Sequence, residues 1–175
     1  MSFNSYRNLN FNYDALCKSD ISETKFTFVW EISKMSSRLK DTPNGEYLKS
    51  EGFQIKGPGN KVSRMNVKMF PNGETAKERG FISVYLYNES DEVVTTKCTL
   101  FVVNPMTGNK IKHGNYGKSE FNSNYGYGWP KCFHRRQLPS ITKDDILTLV
   151  FEITIVGEKE TVELVCDRPG TVVNK

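Results

Sequence analysis

Two histidines and four cysteines are the side chains through which this sequence could do bond-making chemistry. His113 and His134 have no serine, aspartate or cysteine partner at a spacing that catalysis uses. Acid–base and nucleophilic sites are therefore unsupported, and the sequence reads as a non-enzyme. Cys17, Cys98, Cys132 and Cys166 are far apart in the chain, and the nearest metal-ligating pair is Cys132 with His134. Zinc sites need closely spaced ligand pairs, so free thiols and no metal or cofactor are expected. Gly57-Pro-Gly-Asn-Lys61 lacks the spacing of a phosphate-binding loop and the hydroxyl after its lysine. Asn88-Glu-Ser90 is a glycosylation sequon, expected to be idle without a signal peptide. Arg135-Arg136 reads as a solvated surface pair.

What remains is contact chemistry. In Arg79 to Tyr87, Ile82, Val84 and Leu86 share one face of a strand, and Phe81, Ser83, Tyr85 and Tyr87 share the other. The first set suits a core. The second, aromatic and polar-tipped, suits a half-wet platform that holds a partner. From Asn115 to Trp129, glycines and asparagines interleave with Tyr116, Phe121, Tyr125, Tyr127 and Trp129. That composition reads as a loop, and a large loop aromatic is a contact candidate.

The composition narrows the class further. The chain has 175 residues and a formal charge of +4, and 37% of its residues are hydrophobic. Mean hydropathy is −0.52. The positive charge is spread through the middle of the chain and not gathered into a Lys/Arg stripe, which argues against a nucleic-acid partner. No apolar run reaches the roughly 18–20 residues of a spanning helix. Met1 to Arg7 lack the layout of a signal peptide, so an intracellular protein, nuclear or cytoplasmic, is expected.

The elements that must position the contact residues are strands. Phe26, Phe28, Trp30 and Ile32 alternate with Thr27, Val29, Glu31 and Ser33, with Trp30 a core residue. Strands follow over Glu46 to Ile55, Lys61 to Phe70 and Val93 to Asn104, separated by Asp41-Thr-Pro-Asn-Gly45, Gly57-Pro-Gly-Asn60 and Pro71-Asn-Gly73. Leu100-Phe-Val-Val103 is apolar on both faces, hence fully buried or bulged. Ile146 to Val156 alternates most cleanly, with Leu147, Leu149, Phe151, Ile153 and Ile155 inward. No helix of three turns is expected. Residues 1–24 read as an extension, 25–157 as the domain, and 158–175 as a linker or C-terminal extension. Seven to eight strands at this spacing predict an all-β antiparallel sandwich.

Four segments then resemble one family. They are Phe28-x-Trp30-x-Ile32; Ser50-x-x-Phe53; Phe70-Pro-Asn-Gly73 with Gly80-Phe-Ile-Ser-Val-Tyr-Leu86; and Gly128-Trp-Pro-Lys-x-Phe133 with Asp144-Asp-Ile-Leu-Thr-Leu-Val-Phe-Glu152. In this order they resemble a MATH (meprin and TRAF homology) domain. The nearest sub-family is the speckle-type POZ protein group, in which a MATH domain precedes a BTB domain in cullin-3 ubiquitin-ligase adaptors.

The resemblance implies an eight-stranded TRAF-like sandwich that binds extended Ser/Thr-rich peptides in a groove on one sheet. The positions it assigns to the groove are Tyr85, Cys98, Phe121, Tyr127, Trp129, Pro130 and Lys131. Cys98 stands where that group has a phenylalanine, Tyr127-Gly128 replace a Lys-Asp pair, and Met65 replaces a tryptophan. The implied partners are proteins carrying short linear motifs, and cullin-3 through a BTB segment beyond Lys175. A TRAF-type oligomeric scaffold is the alternative, although residues 1–24 show no heptads. A carbohydrate-binding sandwich is a third reading of the Tyr/Trp/Asn/Gly run.

Overall fold

The computed structural model describes the backbone of residues 15–165 and the side chains of residues 21–158. Ten strands and two short helices follow in order. They are β1 (Ala15–Ile32), α1 (Met35–Asp41), β2 (Leu48–Lys49), β3 (Phe53–Lys56), β4 (Val62–Phe70), β5 (Phe81–Asn88), β6 (Val94–Val103), β7 (Lys110–Phe121), β8 (Tyr125–His134), α2 (Leu138–Ile141), β9 (Thr142–Lys143) and β10 (Ile146–Val165). The first sheet runs β1-β10-β6-β7, with β9 beside β10. The second runs β2-β4-β5-β8, with β3 beside β4. All the registered pairs are antiparallel. The fold is the antiparallel β-sandwich that the alternation predicts.

The core lies between the sheets and is supplied by the inward half of each strand. Ile82, Val84 and Leu86 of β5 are fully buried, as are Leu147, Leu149 and Phe151 of β10. Phe26, Phe28 and Trp30 of β1 pack against this core, and Phe28 stacks on Phe53 with ring centroids 4.1 Å apart. The doubly apolar stretch of β6 is bulged: its register with β7 shifts between Leu100 and Phe101, while Leu100 and Val102 stay inside.

Three readings of the sequence change. Asn115 to Trp129 is not a loop but parts of two strands, β7 and β8, joined through 122–124 and paired in different sheets. The two strands lie at the edges of those sheets and bring them together along one side. Strand β1 begins at Ala15, within the expected extension, and β10 runs to Val165, within the expected linker. The chain divides into a unit of residues 22–157 and a second of 1–21 with 158–175. The described backbone of the second unit belongs to β1 and β10.

Two asparagine side chains hold the fold. Asn88 is fully buried, and its Nδ2 donates to the carbonyls of Glu92 and Phe121 at 2.8 and 2.9 Å. The sequon is thereby spent on structure. Asn44 Nδ2 donates to the carbonyls of Asn72, Gly73 and Thr75, tying the turn at Gly45, with its positive φ, to the turn after β4.

Candidate functional site

Strand register builds the site on the outer face of the second sheet. Lys68 of β4, Tyr85 of β5 and Gly128 of β8 form one cross-strand row, and Asn66, Tyr87 and Gly126 form the next. Phe70 and Ser83 form the row beyond. The rings lie close to the sheet because β8 offers glycines beside them. A Cβ on Gly126 would sit 2.4 Å from the Tyr87 ring, and one on Gly128 would sit 2.0 Å from the Val84 carbonyl oxygen. Lys68 Nζ stands 3.9 Å from the Tyr87 ring centroid and 4.6 Å from that of Tyr47, close enough for cation–π attraction to both. Phe70 meets Tyr47 and Tyr85 at 5.4 and 5.8 Å.

Burial and the Glu74 carboxylate, which accepts a hydrogen bond from the Tyr85 hydroxyl, push the Tyr85 phenol well above its ordinary value. Burial likewise raises Tyr87, with Glu74 next. Both remain neutral donors at any physiological pH. The face ends at β8, the last strand of its sheet, whose register slips opposite Ser83. Ile82 pairs with Phe133 and Val84 with Trp129, so Pro130, Lys131 and Cys132 bulge where β5 has one residue. Ser83 Oγ donates to the Pro130 carbonyl at 2.5 Å. Pro130 and Lys131 are exposed, with Lys131 Nζ 5.5 Å from the Phe81 ring centroid.

Trp129 points the other way. It is in register with buried Val84, packs on the core, and its indole lies over Gly114, where a Cβ would come 2.3 Å from Nε1. Tyr116 meets it edge-on at 5.4 Å and donates its hydroxyl to the Gly128 carbonyl at 2.5 Å. Tyr127 stacks on Phe121 at 4.3 Å. Strands β7 and β8 thus join through an aromatic seam on the inner side of the sandwich. Both histidines are spent on structure: His113 packs on Phe133 at 4.1 Å, and burial lowers its pKa. His134 Nδ1 accepts from the Arg136 N–H. Among the described residues, no group of three or more His, Cys, Asp or Glu side chains could hold a metal, and no helix is long and apolar enough to cross a membrane. A depression of about 360 Å³ on the first sheet, with Met106 and Ile146 in its lining, contains one charged group, Lys143.

A family model described as the MATH domain matches residues 27–153. The chain belongs to the MATH-domain family. Members of this fold serve protein–protein interaction. This MATH domain is 24% identical over 151 residues to one TNF receptor-associated factor family protein of Dictyostelium discoideum, and 28% identical over 137 residues to another. The first match takes in 86% of this chain and 34% of the relative; the second takes in 75% and 25%. The chain therefore spans about a third and a quarter of their lengths. Among solved structures, TRAF5 of Notothenia coriiceps shares the fold with a TM-score of 0.56 at 18% identity, over 77% of this chain and 75% of that one.

Within this MATH domain the seven expected groove residues separate into two groups. Tyr85, Pro130 and Lys131 lie on or beside the outer face of the second sheet. Tyr127 and Trp129 belong to the inner seam. Cys98 and Phe121 are 2% and 0% exposed, so neither walls an open groove. A partner strand's register decides which face a residue joins, and sequence spacing does not carry that information. Lys68, Tyr47 and Phe70 were missed for the same reason. For Lys68 the signal was the polar half of β4, Arg64-x-Asn66-x-Lys68, which names a face without naming its neighbours.

Proposed function

We propose that this MATH domain recognises an extended peptide segment of a partner protein on the outer face of its second sheet. The observation that carries the reading is the cluster of Tyr85, Tyr87 and Lys68, from two neighbouring rows, lying against Gly126 and Gly128 of an edge strand. An incoming peptide gains main-chain hydrogen bonds at the edge of β8 and sets alternate side chains against the tyrosines. The neutral Tyr87 phenol supplies a donor and the Tyr85 hydroxyl, whose proton goes to Glu74, an acceptor, a pair suited to hydroxyl-rich sequences and in keeping with a Ser/Thr-rich preference. Titration with peptides from a displayed library tests this: Tyr85→Ala abolishes binding if the reading is right and leaves it intact if it is wrong.

The finer role we infer is that of an adaptor presenting such partners to a cullin-3 ubiquitin ligase, on the four segments that resemble the speckle-type POZ group. The names of the two Dictyostelium relatives favour a second reading, an oligomeric scaffold of the TRAF type. Light scattering on the full-length protein separates them. A trimer supports the scaffold, and co-purification with cullin-3 supports the adaptor.

A further inference from the structure

Asn66 sits in the middle of the peptide face and is unexplained by the fold. Its side chain is 1% exposed, and neither Oδ1 nor Nδ2 has a hydrogen-bond partner. Other buried polar side chains around this sheet are used: Ser50 Oγ accepts from the Val67 N–H, Ser83 donates to Pro130, and Asn88 donates to three carbonyls. An idle buried carboxamide works against stability, and an apolar residue of that size would avoid the cost.

What covers Asn66 follows from register. Lys49 of β2 lies opposite Lys68, and the Glu89 N–H donates to the Arg64 carbonyl at 2.8 Å. On the outer face of β4, Asn66 is the residue between Lys68 and Arg64. The ion pair between Lys49 Nζ and Glu89 Oε1, 2.6 Å long, therefore crosses β4 above Asn66. Gly52, in the connection between β2 and β3, leaves room for the carboxylate: a Cβ there would come within 3.3 Å of Glu89 Oε2. The covering side chains are 46% and 35% exposed, and ion pairs this open hold weakly.

We propose that Glu89 is the chain's own stand-in for an acidic side chain of the bound peptide, and that Asn66 is the floor of that subsite. The proposal rests on the peptide reading above. A peptide aspartate or glutamate takes over Lys49 and also accepts from Asn66 Nδ2, a bond Glu89 does not make. Glu89 swings out to solvent at little cost. Lys49, Arg64 and Lys68 are the cations around Asn66, against Glu51 and, beside Tyr87, Glu74 once Glu89 has swung out, so the opened subsite is positive. A charge-assisted bond to a buried donor gives the discrimination that an exposed pair alone does not.

Selection of a random twelve-residue display library on wild type, Asn66→Ala, Glu89→Ala and Tyr85→Ala tests the proposal, with titration of the selected peptides and thermal melts. Wild type should select peptides with an acidic residue at a fixed position. Replacing that residue by its amide should weaken binding about tenfold in wild type and leave it unchanged in Asn66→Ala. Glu89→Ala should bind the acidic peptides more tightly than wild type. Asn66→Ala should melt no lower than wild type, because it loses no hydrogen bond. Selected peptides that need Tyr85 but show no acidic preference overturn the subsite while the peptide reading stands. So does an acidic preference that survives in Asn66→Ala. If wild type selects no peptide, the peptide reading falls and takes this proposal with it.

Discussion

Tyr85 and Trp129 occupy adjacent cross-strand rows yet face opposite sides of one sheet, and that fixes what each substitution does. Tyr85→Ala removes a ring from the outer face. It should cost about 1 kcal/mol of stability and at least about 2 kcal/mol of peptide binding, roughly thirtyfold in affinity. Trp129→Ala empties the seam over Gly114 and should cost about 3 kcal/mol or more in a denaturant melt. The sequence pattern alone makes Trp129 a contact candidate. Nearly equal unfolding midpoints for the two variants would overturn their placement. Cys98 shows the same inversion. It stands in for a groove phenylalanine in the family pattern, but here it is buried opposite Tyr116, and burial pushes its thiol up to about 12. A raised thiol pKa keeps the proton on, so at pH 8 only about one thiol in ten thousand is ionised. In a Cys17→Ser/Cys166→Ser protein, Cys98 and Cys132 should resist alkylation at pH 8 until denaturant is added. Labelling of the native protein would show that the core opens there. Cys98→Phe should overpack the core by about 1–3 kcal/mol without creating a pocket.

The connected strands β7 and β8, one at the edge of each sheet, are what the site depends on and the part least visible in the sequence. Their glycines exist to let large groups approach: Gly114 under Trp129, Gly126 under Tyr87, and Gly128 against the β5 backbone. Their demands differ. At Gly126 a methyl group meets the edge of a ring that can rotate away, whereas at Gly128 it meets the Val84 carbonyl in a paired strand. Gly128→Ala should therefore cost about 1–3 kcal/mol of stability, and Gly126→Ala less, although both should weaken peptide binding by displacing the tyrosines. Chemical denaturation of the two variants gives the ordering; a larger loss at Gly126 would contradict it. The same glycines explain why the sequence of these two strands has the composition of a loop. Strand β5 and residues 146–156 of β10 were legible because alternate residues are apolar and buried, which leaves a period of two in the sequence. Strands β7 and β8 put glycine where that period would show, so packing demand erased the signal. Short β2 and β9 are set by pairing alone. The outer face was legible on β5, where Tyr85 and Tyr87 alternate with the core set. Lys68 and Asn66 needed the register of β4 against β5.

At the scale of the whole molecule, the question is how much chain the sandwich needs. The sequence pattern placed the start of the domain at Lys25, whereas β1 begins at Ala15 and the compact unit at Ser22. Within that unit, Glu23 pairs with Lys97 at 2.5 Å, an exposed contact that contributes little. The apolar commitment of β1 begins at Phe26, whose ring lies 5.5 Å from that of Phe53, and continues with Phe28 on the same ring. A protein trimmed to residues 22–157 keeps both rings, both sheets and the peptide face. It should unfold in a single transition, with its midpoint within a few degrees of the full chain, corresponding to about 1 kcal/mol. Trimming seven residues further, to begin at Val29, removes Phe26 and Phe28 and strips one side of Phe53. Each lost aromatic contact with the core costs about 3–5 kcal/mol, comparable with the whole stability of a domain this size. That shorter protein should show no cooperative melt by circular dichroism and no peptide binding. A cooperative transition in it would mean that β1 contributes backbone pairing alone and that the aromatic face of this strand is not part of what closes the sandwich.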